Sequence, residues 1–272
     1  MINEARARLI LFSIIQPADP FWIYEINQRG GLSVYHRIIS GNYYLKQQEI
    51  LKLQQQITHI QVKDLELEIS KATGVFITPE DNDWPISLAD LATPPIGLVI
   101  AGDRSVLLKL DKSISIVGSR QPTNYGLQLS YSLASQASLA QLVVVSGGAY
   151  GIDTAAHQGA LSVGGLSIAV LAGGINRLYP LENQKLFKDI TKSGLLISEV
   201  MPNTESKPYR FLIRNRLIAA LSRSTVVVEA KFISGSIRTA RDAAEIFRPV
   251  FAIPGPVTSP LSEDCHRLIA SE

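Results

Sequence analysis

Cysteine is almost absent from this chain: Cys265 is the only one among 272 residues. A single thiol excludes an intrachain disulfide and points to a reducing compartment, so a cytoplasmic location is expected. Histidine is scarce as well, with four residues. These five side chains nowhere take metal-ligand spacing, so no metal is expected, and no cofactor is called for. Long apolar runs are lacking, with none near the ~18 residues of a membrane span. Arg6 and Arg8 precede only the short stretch Leu9–Ile15 before Pro17, Asp19 and Pro20, which does not describe a signal peptide. Charge of one sign is lacking too: Lys and Arg total 26, Asp and Glu 24, for a net +2. That excludes a globally basic nucleic-acid protein and leaves room for a local basic patch.

What the chain does have is a series of short apolar runs ending in Gly, Ser or Glu. Ile114–Val117 precedes Gly118-Ser119-Arg120, and Val143–Val145 precedes Ser146-Gly147-Gly148-Ala149-Tyr150-Gly151. Ser167–Leu171 precedes Ala172-Gly173-Gly174, Leu195–Ser198 precedes Glu199, Val226–Val228 precedes Glu229, and Val250–Ile253 precedes Pro254-Gly255. Runs of this length, apolar on both faces and separated by helical stripes such as Leu129, Leu133 and Ala137, predict βα units around a mostly parallel sheet. Gly97–Ala101 is a further expected strand. In such sheets ligands bind outside the carboxyl ends of the strands, which is where the glycines and several arginines lie.

Residues 1–72 read differently. They are rich in Gln, Leu and Ile, and Leu45, Ile50, Leu53 and Ile57 recur at helical spacing. A small all-α domain is expected there. Gly30-Gly31 and Gly41-Asn42 bracket a short helix, Ser33–Ile39. Backbone amides at such a turn can meet a nucleic-acid backbone, although a protein-contact or stabilising role is favoured. Pro79, Pro85, Pro94 and Pro95 mark a loop-rich entry to a second domain, residues 73–272.

Four strand-end segments can carry chemistry. Gly118 permits a tight turn, Ser119 offers a hydroxyl, and Arg120 offers a fork of donors. Gly147, Gly148 and Gly151 suggest an anion-binding nest, with Asp153 as N-cap of the following helix and His157 within reach of Asp153. This is neither a P-loop nor a dinucleotide fingerprint, and no nucleophile presents itself, so His157 reads as structural. Lys207, Arg210, Phe211, Arg214, Asn215 and Arg216 open a helix with a basic and aromatic surface of the kind that suits single strands. The alternative is a core Phe211 with arginines paired at the surface, and composition leaves both open. Ser234, Gly235 and Ser236 open the next helix, with Arg238 and Thr239 following. Between Glu205 and Arg248 there are nine Lys/Arg against four Asp/Glu, so positive charge is concentrated there.

In this order, these segments resemble the DprA/Smf family of DNA-processing proteins. The resemblance also takes in Ala156-His157, Tyr179-Pro180, Ser198-Glu199, Val228-Glu229-Ala230 and Pro254-Gly255, and covers roughly residues 76–270. It implies an extended Rossmann-like fold preceded by a SAM-like or helix-hairpin-helix-like domain. It implies a protein that binds single-stranded DNA without hydrolysing it, forms a homodimer and delivers strands to the RecA recombinase during natural transformation. Arg120, Phe211, Arg214 and Arg216 fall on pocket positions of the family, and the other residues named in the four segments complete the candidate DNA-binding set, with no catalytic residue. The sequence departs from the family pattern at Gly148 (usually Leu), Leu212 (usually Pro) and Asp264-Cys265-His266 (usually Gly-Cys-Asn). No counterpart of the winged-helix domain that closes many members is expected within these residues. A rival reading, a nucleoside-monophosphate phosphoribohydrolase, rests on Ser234–Asp242, but Arg238 stands where that signature needs Gly.

Overall fold

All six apolar runs form strands. The computed structural model describes residues 2–43, 46–231 and 234–270; Leu45 lies outside them. The strands are β1 (Val75–Ile77), β2 (Leu98–Gly102), β3 (Ser113–Gly118), β4 (Val143–Ser146), β5 (Ser167–Leu171), β6 (Leu195–Ser198), β7 (Thr225–Val228) and β8 (Val250–Ala252). They form one eight-stranded sheet in the order β1-β2-β6-β5-β4-β3-β7-β8. The six strands from β3 to β8 run parallel. β2 joins β6 antiparallel, and β1 joins β2 antiparallel. β1 lies just before Pro79, at the loop-rich entry to the second domain, and was not expected from the sequence. It is three residues long and on the sheet edge, too short to show alternation.

Helices α6 (Asn124–Leu139) and α7 (Ile152–Ser162) cover one face around Ile116, Val144 and Val228. Helices α9 (Pro208–Ala220) and α10 (Gly235–Glu245) cover the other around Val117, Val145 and Val227. Alternate residues of one strand thus feed opposite cores, which is why these strands are largely apolar on both faces. Full burial of each such side chain contributes about 1.5–3 kcal/mol. Helix α8 (Gln184–Ile190) joins the α7 side, and α11 (Glu263–Ala270) packs by β8.

Among the described residues, five helices precede the sheet: α1 (Glu4–Ile14), α2 (Pro20–Arg29), α3 (Gly31–Ile39), α4 (Gln47–His59) and α5 (Val62–Lys71). Helix α2 starts where Asp19 accepts the amides of Phe21 and Trp22, with Pro20 at the first helical position. Trp22, Ile23, Ile38 and Leu11 are buried together, and the cluster continues into Val99, Leu171 and Phe187 of the sheet side. The amides that the Gly30-Gly31 turn offered to a nucleic-acid backbone are occupied: the Glu4 carboxylate accepts from Gly31 (2.6 Å) and Leu32 (2.7 Å). Among the described residues, no helix is long and apolar enough to cross a membrane.

Candidate nucleic-acid interface

The chain winds from β3 outward to β6 on one side, then returns through α9 to place β7 on the other side of β3. This reversal between β3 and β7 opens a crevice at their carboxyl ends, the switch point where open α/β sheets take ligands. Gly118 pairs with Val228 there. A Cβ on Gly118 would lie 1.9 Å from the Val228 carbonyl oxygen, so only glycine permits this approach. The next loop is pinned from β7. The Ser119 amide donates to the Glu229 carbonyl (2.7 Å), and the Glu229 carboxylate accepts from the amide (2.8 Å) and hydroxyl (2.5 Å) of Thr123. Thr123 in turn caps α6. Arg120 projects from this fixed loop, exposed, with its guanidinium 4.9 Å from the Phe211 ring centroid.

Helix α9 presents Phe211, Arg214, Asn215 and Ile218 to the crevice, the i, i+3, i+4, i+7 stripe of one helical face. Arg214 is not the exposed helix-start residue that the sequence suggested. It is 5% exposed, and its Nη1 donates to the Val170 carbonyl (2.5 Å). Burial lowers its pKa to about 10, so it remains cationic at neutral pH. Gly147 lacks a side chain for Arg214's sake: a Cβ there would meet the guanidinium at 2.0 Å.

The expected anion nest is already filled by the chain itself. The Asp153 carboxylate accepts from the amides of Gly147 (3.1 Å) and Ala149 (3.2 Å). Asp153 lies inside the first turn of α7, and Gly151 is the N-cap, which corrects the capping role expected of Asp153. Burial raises the Asp153 pKa, while Arg214 and the amides oppose the shift. His157 does not bond Asp153. Its Nδ1 meets the Ser167 hydroxyl at 2.7 Å, and burial together with Arg214 pushes its pKa down to about 3. It is a neutral core residue.

The third wall is the start of α10. Asn215 Nδ2 donates to the Gly235 carbonyl (2.9 Å), and the Ser234 and Ser236 hydroxyls bond each other (2.8 Å). Thr239 is 1% exposed and lines the crevice, and its hydroxyl makes no hydrogen bond among the described residues. Neither α9 nor α10 carries a side-chain cap. Pro208 opens α9 without an N–H, and the Arg210 amide donates to the Lys207 carbonyl (2.9 Å), so the amides open to a ligand are those at the start of α10, with the positive ends of two helix dipoles behind the crevice. The resulting cleft measures about 650 Å³. Three cations, Arg120, Arg214 and Lys231, face it against one carboxylate, Asp153.

Ten of the seventeen expected residues line this cleft: Gly118, Ser119, Arg120, Phe211, Arg214, Asn215, Ser234, Gly235, Ser236 and Thr239. The others do not. Gly148 packs on Phe187 and Gly151 on the Ser119 carbonyl, so both, like Gly147, shape the wall from behind. Lys207 is exposed at the N-cap of α9, outside the lining. Arg210 turns to the Tyr209 ring (5.4 Å) and to a small cavity shared with Pro17 and Glu199. Arg238 is exposed and pairs with Asp242 (2.7 Å). Arg216, expected in the pocket, is 7% exposed, and its Nη2 contacts both Glu199 oxygens at 2.6 and 2.7 Å. Five positions beyond Phe211, it falls on the opposite side of the helix. Sequence reasoning missed Lys231, three residues past the end of β7, and Tyr179 of the Tyr-Pro pair, both of which line the cleft.

A Rossmann-like sheet with a cationic, partly aromatic cleft at its switch point places the chain among α/β proteins with a candidate anion-binding cleft. The chain belongs to the DNA recombination-mediator protein A family, the DprA/Smf proteins, whose family model matches residues 75–272. It is 41% identical over 217 residues to a DNA processing protein DprA of Mycobacterium tuberculosis, covering 76% of this chain and 56% of that one. It is 41% identical over 189 residues to DprA of Streptococcus pneumoniae, covering 70% and 66%. The chain thus spans about half to two thirds of the length of these relatives. The X-ray structure of Streptococcus pneumoniae DprA superposes with a TM-score of 0.80 at 30% identity, covering 99% of this chain and 93% of that one. The DNA processing protein A of Helicobacter pylori, which has a single-stranded DNA binding mode, superposes at 0.65 with 31% identity, covering 72% and 87%.

Proposed function

We propose that the cleft binds single-stranded DNA and that the protein hands this strand to a RecA recombinase. The observation that carries the reading is the convergence of two uncapped helix starts, three cations and the Phe211 ring in one crevice. The amides and cations suit phosphates, and the Arg120–Phe211 pair offers a planar surface to a base. None of these groups reads base edges, so little sequence preference is expected. The single-stranded DNA binding mode of the Helicobacter pylori relative supports the same reading. RecA delivery and homodimerisation belong to the same reading, which family membership supports. The same reading divides the chain into a helical domain, residues 1–72, and a Rossmann-like DNA-processing domain, residues 73–272.

A binding role without catalysis fits the side chains better than the hydrolase reading does. Asp153 is committed to two loop amides, and His157 is buried and neutral. Arg238, at the signature's glycine position, pairs with Asp242 outside the cleft. An assay for ribose phosphate released from nucleoside monophosphates checks this; turnover that Asp153→Asn abolishes would establish the hydrolase instead. For the RecA step, the protein should accelerate filament assembly on single strands, and Arg120→Ala should remove the acceleration.

A further inference from the structure

Inside the cleft, Phe211 is half-buried and its ring is flanked by two guanidiniums, Arg120 at 4.9 Å and Arg214 at 5.9 Å. Its edge is not the end of the aromatic surface. Tyr179 meets Phe211 with ring centroids 5.6 Å apart and planes at 72°. Tyr150 meets Tyr179 at 6.5 Å and 75°. Tyr179 lines the cleft and is 48% exposed; Tyr150 lies beyond the lining and is 38% exposed. Exposed aromatics scattered singly need no explanation. Three in successive contact, leading from inside a cationic cleft to its outside, form a path.

The path is held in place. The Tyr150 hydroxyl donates to Glu182, and this bond raises the tyrosine pKa to about 12. The neighbouring Asn183 donates to the Gly148 carbonyl (3.0 Å) and the Thr154 hydroxyl (2.8 Å). The rim is thereby tied to the glycine loop.

We infer that a bound strand leaves the cleft over Tyr179 and Tyr150, which form a second stacking track for bases. This rests on the single-strand reading of the cleft and adds the direction of exit. It also supplies a reason for strand selectivity. Bases in a duplex keep nearly parallel planes, whereas successive rings here turn by 72° and 75°. A base that follows them must tilt out of its stack, which a single strand allows and a paired strand resists.

The test is fluorescence anisotropy with oligothymidylates of about four and about sixteen nucleotides. The wild-type protein should bind the longer strand more tightly. Tyr150→Ala should weaken the longer strand alone, by about 5- to 150-fold, the equivalent of losing one stacked base. Tyr179→Ala should weaken the longer strand more than the shorter, and Tyr179→Phe should match wild type, because the ring and not the hydroxyl stacks. Thermal melts accompany each variant, and Tyr150→Ala carries the test if Tyr179→Ala fails to fold. Wild-type affinity of Tyr150→Ala for the longer strand, or equal losses on both lengths, overturns the track. Failure of the wild-type protein to bind either strand overturns the single-strand reading itself.

Discussion

Arg120 and Arg216 both sit in family-like motifs, yet the structure assigns them opposite consequences on mutation. The Arg216 Nη2 contacts both Glu199 carboxylate oxygens, at 2.6 and 2.7 Å, and both side chains are less than one-tenth exposed. Arg216→Ala would strand the Glu199 charge in the interior. Breaking a buried pair in this way costs about 3–5 kcal/mol, a large part of a typical total of about 5–15 kcal/mol. Replacing both partners, Glu199→Gln with Arg216→Met, should recover most of that loss, since no charge is left buried. Arg120 is exposed and makes no ion pair among the described residues. Arg120→Ala should change stability by no more than about 0.5 kcal/mol. It should weaken single-strand binding and flatten the slope of log K against log salt by about 0.7, the share of one phosphate contact. Urea denaturation and anisotropy titrations at several salt concentrations measure both quantities on each variant. An Arg216→Ala protein of wild-type stability that binds DNA poorly would refute the assignment, as would an Arg120→Ala protein that unfolds easily.

Three further outcomes follow from the same geometry. His157 has a folded pKa near 3 against an unfolded value of 6.5, so the unfolded chain binds the extra proton between these values. Its contribution is complete above about pH 6.5 and is lost as the pH falls; it should amount to about 2 kcal/mol less stability at pH 5 than at pH 7.5, and urea melts of His157→Gln should lack that component. Phe211→Ala should cost about 1–3 kcal/mol of single-strand affinity. Its folding cost should stay below the ~3–5 kcal/mol of a fully buried phenylalanine, because the ring is only half-buried; an unchanged affinity with a destabilised fold would make Phe211 a core residue alone. Gly118→Ala should destabilise by about 1–3 kcal/mol, because its Cβ would meet backbone and not a movable side chain, and a wild-type melting temperature would contradict the close β3–β7 approach.

The central strands were legible because they are buried on both faces and so carry unbroken apolar stretches, as in Val143–Val145 and Ile168–Leu171. Their order was not, since the return of α9 past β3 depends on contacts far apart in sequence. β1 escaped notice because three edge residues carry no period. The candidate site was legible as a set of loops but not as a set of side chains. Arg210, Arg214 and Arg216 look alike in sequence, and only the helical face separates them. The stripe Phe211, Arg214, Asn215 and Ile218 was available as a signal once the helix was drawn. The glycine loop misled for a different reason: its amides are bound by Asp153, six residues after Gly147, and nothing in the sequence distinguishes an open nest from one that the chain has closed. Tyr179 and Lys231 reach the cleft from strand-end loops that carry no motif of their own for nucleic acid.

One comparison tests single-strand binding most directly: anisotropy titration of the unmodified protein with a labelled single strand and with the matching blunt duplex, each at low and high salt. Single-strand binding should be the tighter, with log K falling against log salt at a slope of about −2, as about three neutralised phosphates require. Duplex binding as tight as single-strand binding, or affinity indifferent to salt, would contradict it.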